Sequence, residues 1–285
     1  MNFSRSVREI IRERTSKRSY TPAPIEEDRR QALLTALRSA RGPFDVRTRF
    51  ELVDTEGWAD ASVNALGTYG TIQGARFFIV GLCERGERDM EGFGYAFESI
   101  ILRATDLGLG TCWIGGVFNR SGFAGKAGVG DGEIVPAVSP VGHAMPRRSL
   151  TDSVIRWSAG ARARKPRDQL FFSGAFGTAL SDAAAGPFLE PTEMVRLGPS
   201  ASNRQPWRIV KEKDAPVLHF YMRRSPGYDK LVRTVDLQRI DMGIAMCHFE
   251  LTARELGLPG EWRISEPALG PLPERTSYLV SWAGA

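Results

Sequence analysis

The amino-acid sequence predicts an α+β protein made of two copies of one unit fused head to tail, a pseudo-dimer within a single chain. Three observations carry this expectation. The stretch Gly92–Leu109 is echoed without a gap 149 residues later by Asp241–Leu258, with seven of eighteen positions identical, Asp106 facing Glu255 and Trp113 matching Trp262. Val138-Ser139-Pro140-Val141-Gly142 is echoed by Val280-Ser281-Trp282-Ala283-Gly284. A repeat spaced at about half the chain length points to a covalent version of a symmetric homodimer rather than to a solenoid. Third, helical and strand patterns mix without regular βαβ alternation, which indicates α+β architecture.

The elements follow in order. Val7, Ile10 and Ile11 have helical spacing, and Leu33, Leu34 and Leu37 mark a second helix after the Pro22/Pro24 punctuation. Arg76–Leu82 reads as a buried strand. The repeated segment, about Phe93–Leu107, is a helix apolar nearly all round, so it must be covered on all sides, as when the two copies pack together. Ile134–Pro140 is a further strand. Residues 158–169 are basic and poor in apolar side chains, and read as a solvated linker joining a first copy, residues 1–157, to a second, residues 170–285. The second copy then supplies a helix around Pro191–Leu197, strands near Pro206–Val210 and Val217–Tyr221, the repeated helix, and a last strand Tyr278–Trp282.

Length and composition bound the function. A chain of 285 residues has room for two ordinary cores, and 42% hydrophobic with 25% charged residues describes a soluble globular protein. No apolar run is long enough to span a bilayer, and Met1–Arg5 lacks the apolar core of a signal peptide. Cys83, Cys112 and Cys247 stand singly, which fits a reducing cytoplasm and no metal site. The net charge of +5 comes from dispersed arginines rather than a stripe along one helix, so an anionic small ligand is favoured over nucleic acid.

Four segments could carry chemistry. Arg14-Thr15-Ser16-Lys17-Arg18-Ser19-Tyr20 clusters guanidinium forks and hydroxyls suited to a phosphate. Pro199-Ser200-Ala201-Ser202-Asn203-Arg204-Gln205-Pro206-Trp207 can present backbone N–H groups and an amide to the edge of a polar heterocycle. Gly108–Gly116, with Gly115-Gly116 at its end, lets backbone approach a flat ligand, and lacks the spacing of a dinucleotide fingerprint. Gly142–Ser149 offers Arg147 and Arg148. His143, His219 and His248 form no metal-spaced or triad-like set and read as structural.

Together these segments resemble the FMN-dependent nitroreductase superfamily, in particular a subgroup with two copies of the fold in one chain. The resemblance runs from about Ile10 to Trp282, and the Asn-x-Gln-Pro-Trp loop and Gly110–Gly116 are its most specific parts. It implies an antiparallel-rich central sheet flanked by helices in each copy, FMN as cofactor, and NAD(P)H as co-substrate. Carried over, Arg14, Thr15, Ser16 and Arg18 with Arg147 and Arg148 are implied phosphate and ribityl contacts. Trp113, Gly115 and Gly116 are implied ring-side backbone, and Pro199, Ser200, Ala201, Ser202 and Asn203 are implied contacts from the other copy. Thr15 and Ala201 depart mildly from the family pattern. Hydride would pass from NAD(P)H through the flavin to a nitroaromatic, quinone or similar small-molecule acceptor, in a cytoplasmic protein that works as a monomer without nucleic acid or membrane. A flavin-binding storage or sensing protein is the alternative. One site is expected rather than two. The second copy offers Ile264-Ser265 where the first has Gly115-Gly116, Phe171–Phe176 where the first has Arg14–Arg18, and nothing after Ala285 to match Arg147 and Arg148. In the first copy Ala40-Arg41-Gly42-Pro43-Phe44-Asp45 stands where the second has its Ser/Asn loop.

Overall fold

The computed structural model describes residues 1–56, 72–116, 118–145, 163–227 and 235–284. Two sheets organise it. The first contains β1 (Thr48–Asp54), β2 (Phe77–Glu84), β3 (Gly110–Thr111) and β4 (Glu133–Gly142) in the order β1-β2-β4-β3, every pair antiparallel. The second contains β5 (Phe171–Ser173), β6 (Trp207–Lys211), β7 (Val217–Arg223), β8 (Gly260–Arg263) and β9 (Thr276–Gly284) in the order β5-β6-β7-β9-β8. Its last four strands repeat the first sheet's order and antiparallel sense, and β5 is added in parallel beside β6.

The helices repeat as well. After α1 (Val7–Glu13), α2 (Glu27–Ser39) precedes β1 and α3 (Asp89–Asp106) connects β2 to β3. Past α4 (Arg120–Ala127) and the short α5 (Asp182–Ala185), α6 (Leu189–Leu197) precedes β6 and α7 (Leu237–Glu255) connects β7 to β8. The chain is therefore two copies of one α+β unit.

The two central helices end alike because their sequences do. Gly108 and Gly257 take left-handed φ values of 75° and 68°. The next amides, Leu109 and Leu258, donate back to the Ala104 and Ala253 carbonyls at 2.8 and 2.9 Å. This is the glycine cap that closes a helix with an αL residue.

The helices also cross on each other with two-fold reciprocity. A Cβ placed on Gly94 would overlap the Ile240 carbonyl, and one on Gly243 would overlap the Glu91 carbonyl. Gly94 matches Gly243 and Glu91 matches Ile240 at the 149-residue offset, so each copy makes the same contact on the other, as in an isologous dimer interface. Interlocking follows from the all-round apolar helices. Tyr95 and Leu102 of α3 enter the core of the second sheet, while Leu237, Ile240 and Ile244 of α7 enter that of the first. Val7, Ile10 and Ile11 of α1 pack into the second core, not the first. A third cluster, including Phe78, Phe118 and Phe123, covers the outer face of the first sheet beneath α4.

Strand pairing corrects one echo. Phe77 pairs with Val141 where Leu218 pairs with Trp282, and Ile79 with Ser139 where Phe220 pairs with Val280. Phe77, Ile79 and Val141 face the first core as Leu218, Phe220 and Trp282 face the second, so the strands correspond at an odd offset and not at the 142 of the Val-Ser-x-x-Gly match. A one-residue slip exchanges faces, and Val138 lies on the outer cluster whereas Val280 faces α7's core. Thr111 pairs with Val141, and Gly260, its counterpart at the 149-residue offset, pairs with Gly284, which keeps the tryptophan match in line with the helix ends. Trp113 and Trp262 both reach a buried glutamate on their central helix, Glu98 and Glu250. The short strands β3, β5 and β8, β1, and α4 carried too little periodicity to be read from sequence.

Candidate functional site

Arg14 ends α1, its amide donating to the Ile10 carbonyl at 2.8 Å. Because α1 is seated in the second core, the arginine is delivered to the junction of the copies. Its side chain is buried with Nε 3.9 Å from Glu98 Oε1, and this Nε has no hydrogen-bond partner among the described residues. The chain then runs along the edge of β3. Ser16 bridges Thr111 in parallel, and the Lys17 amide donates to the Thr111 carbonyl at 2.8 Å. The Arg14–Arg18 segment is thereby fastened to the strand leading into Trp113–Gly116. Thr15 and Arg18 are half-buried in it.

Glu98, on α3, has no exposed surface. Its Oε2 accepts from Trp113 Nε1 at 2.6 Å, and its Oε1 lies 2.9 Å from Nε2 of His248 on α7. His248 Nδ1 is 2.9 Å from the Met194 carbonyl, which only accepts, so Nδ1 donates there. The contact between Nε2 and Oε1 then holds one proton, whichever partner carries it. Trp113 also meets the Phe97 ring edge-on at 4.6 Å between centroids. Its indole is thus fixed by a hydrogen bond and a ring contact together.

Gly115 faces the other copy, where a Cβ would touch Leu237 Cδ2, whereas one on Gly116 would meet nothing within 4 Å. Arg120 Nη2 donates to both carbonyls, at 2.6 Å to Gly115 and 3.0 Å to Gly116. Burial holds the Arg120 guanidinium below its usual value.

From the second copy comes the Pro199–Gln205 loop, which contains a 3₁₀ turn at Ala201–Asn203. Ser202, Asn203 and Gln205 all have φ between 48° and 53°, with Arg204 between the last two in the right-handed region. Pro199 and Ser200 enter it half-buried. The Ser200 hydroxyl accepts from the Gln205 amide at 2.9 Å, closing the turn. The Ala201 amide donates to Asp241 Oδ1 at 2.9 Å, tying the loop to α7. Asp241 Oδ2 is buried with no hydrogen-bond partner among the described residues. Burial holds this carboxyl well above the usual aspartate range, against the pull of the Ala201 N–H. In the first copy Gly42 sits against Gly92, the 149-offset counterpart of Asp241. The Ala40–Asp45 segment therefore packs against the first copy's central helix at the corresponding position.

Arg164 braces the Pro199–Gln205 loop. It donates to Asn203 Oδ1 at 3.3 Å and to the Leu197 carbonyl at 3.1 Å, while Asn203 Nδ2 donates to the Ala163 carbonyl at 2.8 Å. Burial, with Arg14 and Arg196 as like charges, pulls its guanidinium down to about 10. The structure thus brings Arg14, Ser16, Trp113, Gly115 and the Ser200–Asn203 loop to one region between the copies. Arg147 and Arg148 lie outside the described residues.

Two expectations change. Arg164 and Lys165 are not part of a solvated linker but are half-buried and hydrogen-bonded to the Asn203–Gln205 turn. Phe171–Phe176 is not the counterpart of Arg14–Arg18: Phe171–Ser173 extends the second sheet beside β6, whereas Arg14–Arg18 lies beside β3, at the opposite edge of the strand order. Sequence reasoning gave no role to Glu98, Asp241 or Arg120, and read His248 as structural without its partner Glu98. Glu98, Asp241 and His248 were legible as polar residues inside otherwise apolar helices, where a buried charge needs a partner.

A family model described as "Putative TM nitroreductase" matches residues 6–253. No curated protein matches the chain. The solved structure of a Thermotoga maritima protein described as a putative nitroreductase aligns with 99% of this chain and 95% of its own, at 18% identity and a TM-score of 0.62, a likeness of fold. A Bacteroides thetaiotaomicron protein described as a putative NADH dehydrogenase/NAD(P)H nitroreductase aligns with 51% of this chain and 90% of its own, at 22% identity and a TM-score of 0.44. A Desulfovibrio desulfuricans protein described as a putative nitroreductase in complex with FMN aligns with 53% of this chain and 95% of its own, at 22% identity and a TM-score of 0.39.

Proposed function

The chain belongs to the family described as putative TM nitroreductases, and from that premise we propose that it is an FMN-dependent oxidoreductase. It passes hydride from NAD(P)H to a nitroaromatic, quinone or similar acceptor, at one FMN site between the two copies. The observation that carries this reading is the convergence of Arg14, Trp113 and Gly115 from one copy with the Asn203 loop of the other.

The residues present suit an anionic, planar, polar-edged group. Arg14 and Arg164 place two cations at the junction, and Arg14 Nε is a buried donor without a hydrogen-bond partner among the described residues. Gly116 leaves open the space a side chain would fill. FMN, when bound, supplies the hydride chemistry, and the protein supplies position and charge. Arg14 and Arg164 would hold the phosphate with Ser16, and their fields would favour negative charge on the cofactor. Trp113, locked by Glu98 and Phe97, would wall the site, and Ser200 to Asn203 would address the ring edge with backbone and amide groups.

The test is direct. The purified protein should be yellow, release FMN on denaturation, bleach under anaerobic NADH or NADPH, and recover its colour with a quinone or nitroaromatic. Arg14→Glu should strip the flavin, because losing a charged hydrogen-bond partner costs about 1.5–3 kcal/mol and reversing it costs more. Full FMN content in that variant would overturn the site. Bound FMN that no nicotinamide bleaches would make the protein a flavin carrier instead.

A further inference from the structure

On the far side of the Gln205 turn lies a second group of cations that the proposed flavin site does not use. Lys165 Nζ donates to the Arg204 carbonyl at 2.7 Å and lies 3.5 Å from the Gln205 carbonyl. Arg208 Nη1 donates to that same Gln205 carbonyl at 3.0 Å and to the Trp207 carbonyl at 2.6 Å. The ammonium and the guanidinium are therefore gathered on one oxygen. Arg208 pairs across the ladder with Tyr221, and Arg223, two residues on, shares the Tyr221 face and donates its amide to the Pro206 carbonyl at 2.8 Å.

The charge balance of this cluster is unusual. Arg208 is only 7% exposed, and no carboxylate among the described residues forms an ion pair with Lys165, Arg208 or Arg223. Arg14, the other arginine this deeply buried among the described residues, lies 3.9 Å from the Glu98 carboxylate. Glu266 is near enough for Tyr221 to feel its charge but does not pair with the three cations. The Tyr221 hydroxyl is buried and without a hydrogen-bond partner among the described residues. Burial and the neighbouring Arg208, Arg223 and Arg204 pull the Lys165 ammonium down to about 8, and burial with Arg223 pulls Arg208 down to about 10. Like charges held together against such a cost are stabilised by an anion that binds among them.

We propose that Lys165, Arg208 and Arg223 form a second anion site, on the outer face of the second sheet beside the Gln205 turn, that takes the phosphate group of a small ligand. Several fixed N–H donors around one point match the acceptor oxygens of a phosphate dianion better than the two of a carboxylate. The site stands apart from the flavin reading, since Arg164 faces Arg14 and Asn203 while Lys165, the next residue, faces Arg208.

Calorimetric titration of the full-length protein with inorganic phosphate tests it. Saturable binding is expected in the wild type, weakened about tenfold or more by Lys165→Met and by Arg223→Met, and retained in Arg14→Met. Arg208→Met should weaken it further, and the two less buried positions keep the test intact if that variant does not fold. Adenosine 2′-phosphate binding tenfold tighter than inorganic phosphate would identify a nucleotide phosphate as the ligand, and equal affinity a free oxyanion. Either supports the site. Absence of saturable binding in the wild type overturns it. So does binding that Arg14→Met abolishes and Lys165→Met leaves untouched, which would assign the anion to the flavin region and leave the proposed function standing.

Discussion

Glu98 shows what one buried carboxyl can organise. It ties Trp113 of its own copy to His248 of the other and lies beside Arg14, so three elements depend on it. Glu98→Ala should cost about 3–5 kcal/mol, the range for breaking a buried charge pair, with a change in tryptophan emission as the Trp113 indole loses its acceptor. Glu98→Gln keeps an acceptor for the indole and should cost less. Equal losses, read from chemical denaturation, would show that Glu98 acts by volume alone. Asp241 makes a different prediction. A carboxyl held above its ordinary value by burial contributes fully below about pH 3.9, its usual point, and the contribution is lost as pH rises toward the folded-state value. Asp241→Asn cannot ionise. It should match the wild type near pH 4 and melt higher at pH 7, where 1 kcal/mol is worth about 2–4 °C for a domain of 150–250 residues. Parallel melting curves across that range would show that Asp241 is ionised at no cost. Neither role could be assigned from sequence, because a carboxyl in an otherwise apolar helix signals a buried partner without saying which residue it is.

At the scale of elements, the crossing of α3 and α7 was half legible. The repeat and the all-round apolar character marked the two helices as partners, but not the two glycines on which they meet. Replacing Gly94 with alanine would favour the isolated helix by about 1 kcal/mol. The new Cβ would overlap the Ile240 carbonyl, and backbone cannot rotate aside as a side chain can. Overpacking of this kind costs about 1–3 kcal/mol or more, so the clash should win. Gly94→Ala and Gly243→Ala should each lower the denaturation midpoint. Together they should cost less than their sum, since one separation of the helices relieves both contacts. A stabilised single variant would mean the helices are not held this closely in solution. The slipped β4–β9 echo teaches the converse lesson. Three of five letters matched in sequence, but hydrogen-bond register and the facing of each side chain decide equivalence in a sheet.

For the whole molecule, the exchange of elements between copies matters most. α1 belongs to the first half by position and to the second core by packing, and its N-terminus is held by Glu255, which accepts from the Val7 amide at 2.8 Å and from Arg8 at 2.8 Å. Residues 1–160 expressed alone would leave α1 without its seat and expose the face of α3 that α7 covers, a large apolar surface prone to association. That fragment should aggregate and bind FMN poorly. In the intact protein, flavin titration should saturate at one FMN per chain, and Asn203→Ala should weaken binding although it lies in the other copy. Saturation at two, or tight binding by the fragment, would overturn the single shared site.

The sequence by itself determined the two-copy α+β plan, the central helices, and the segments Arg14–Arg18, Trp113–Gly116 and Ser200–Asn203 as candidates. These are local properties: periodicity, an ungapped repeat, residue types grouped within a few positions. Tertiary structure decided which of them meet. It placed α1 in the opposite core, turned Arg164 and Lys165 from an expected linker into half-buried, hydrogen-bonded cations, and gathered Arg14, Glu98, Trp113 and His248 across some 230 residues of chain. Such contacts arise because two helices apolar on every side can satisfy that surface only by burying it in each other, and one-dimensional spacing does not encode which polar residues are then carried inside.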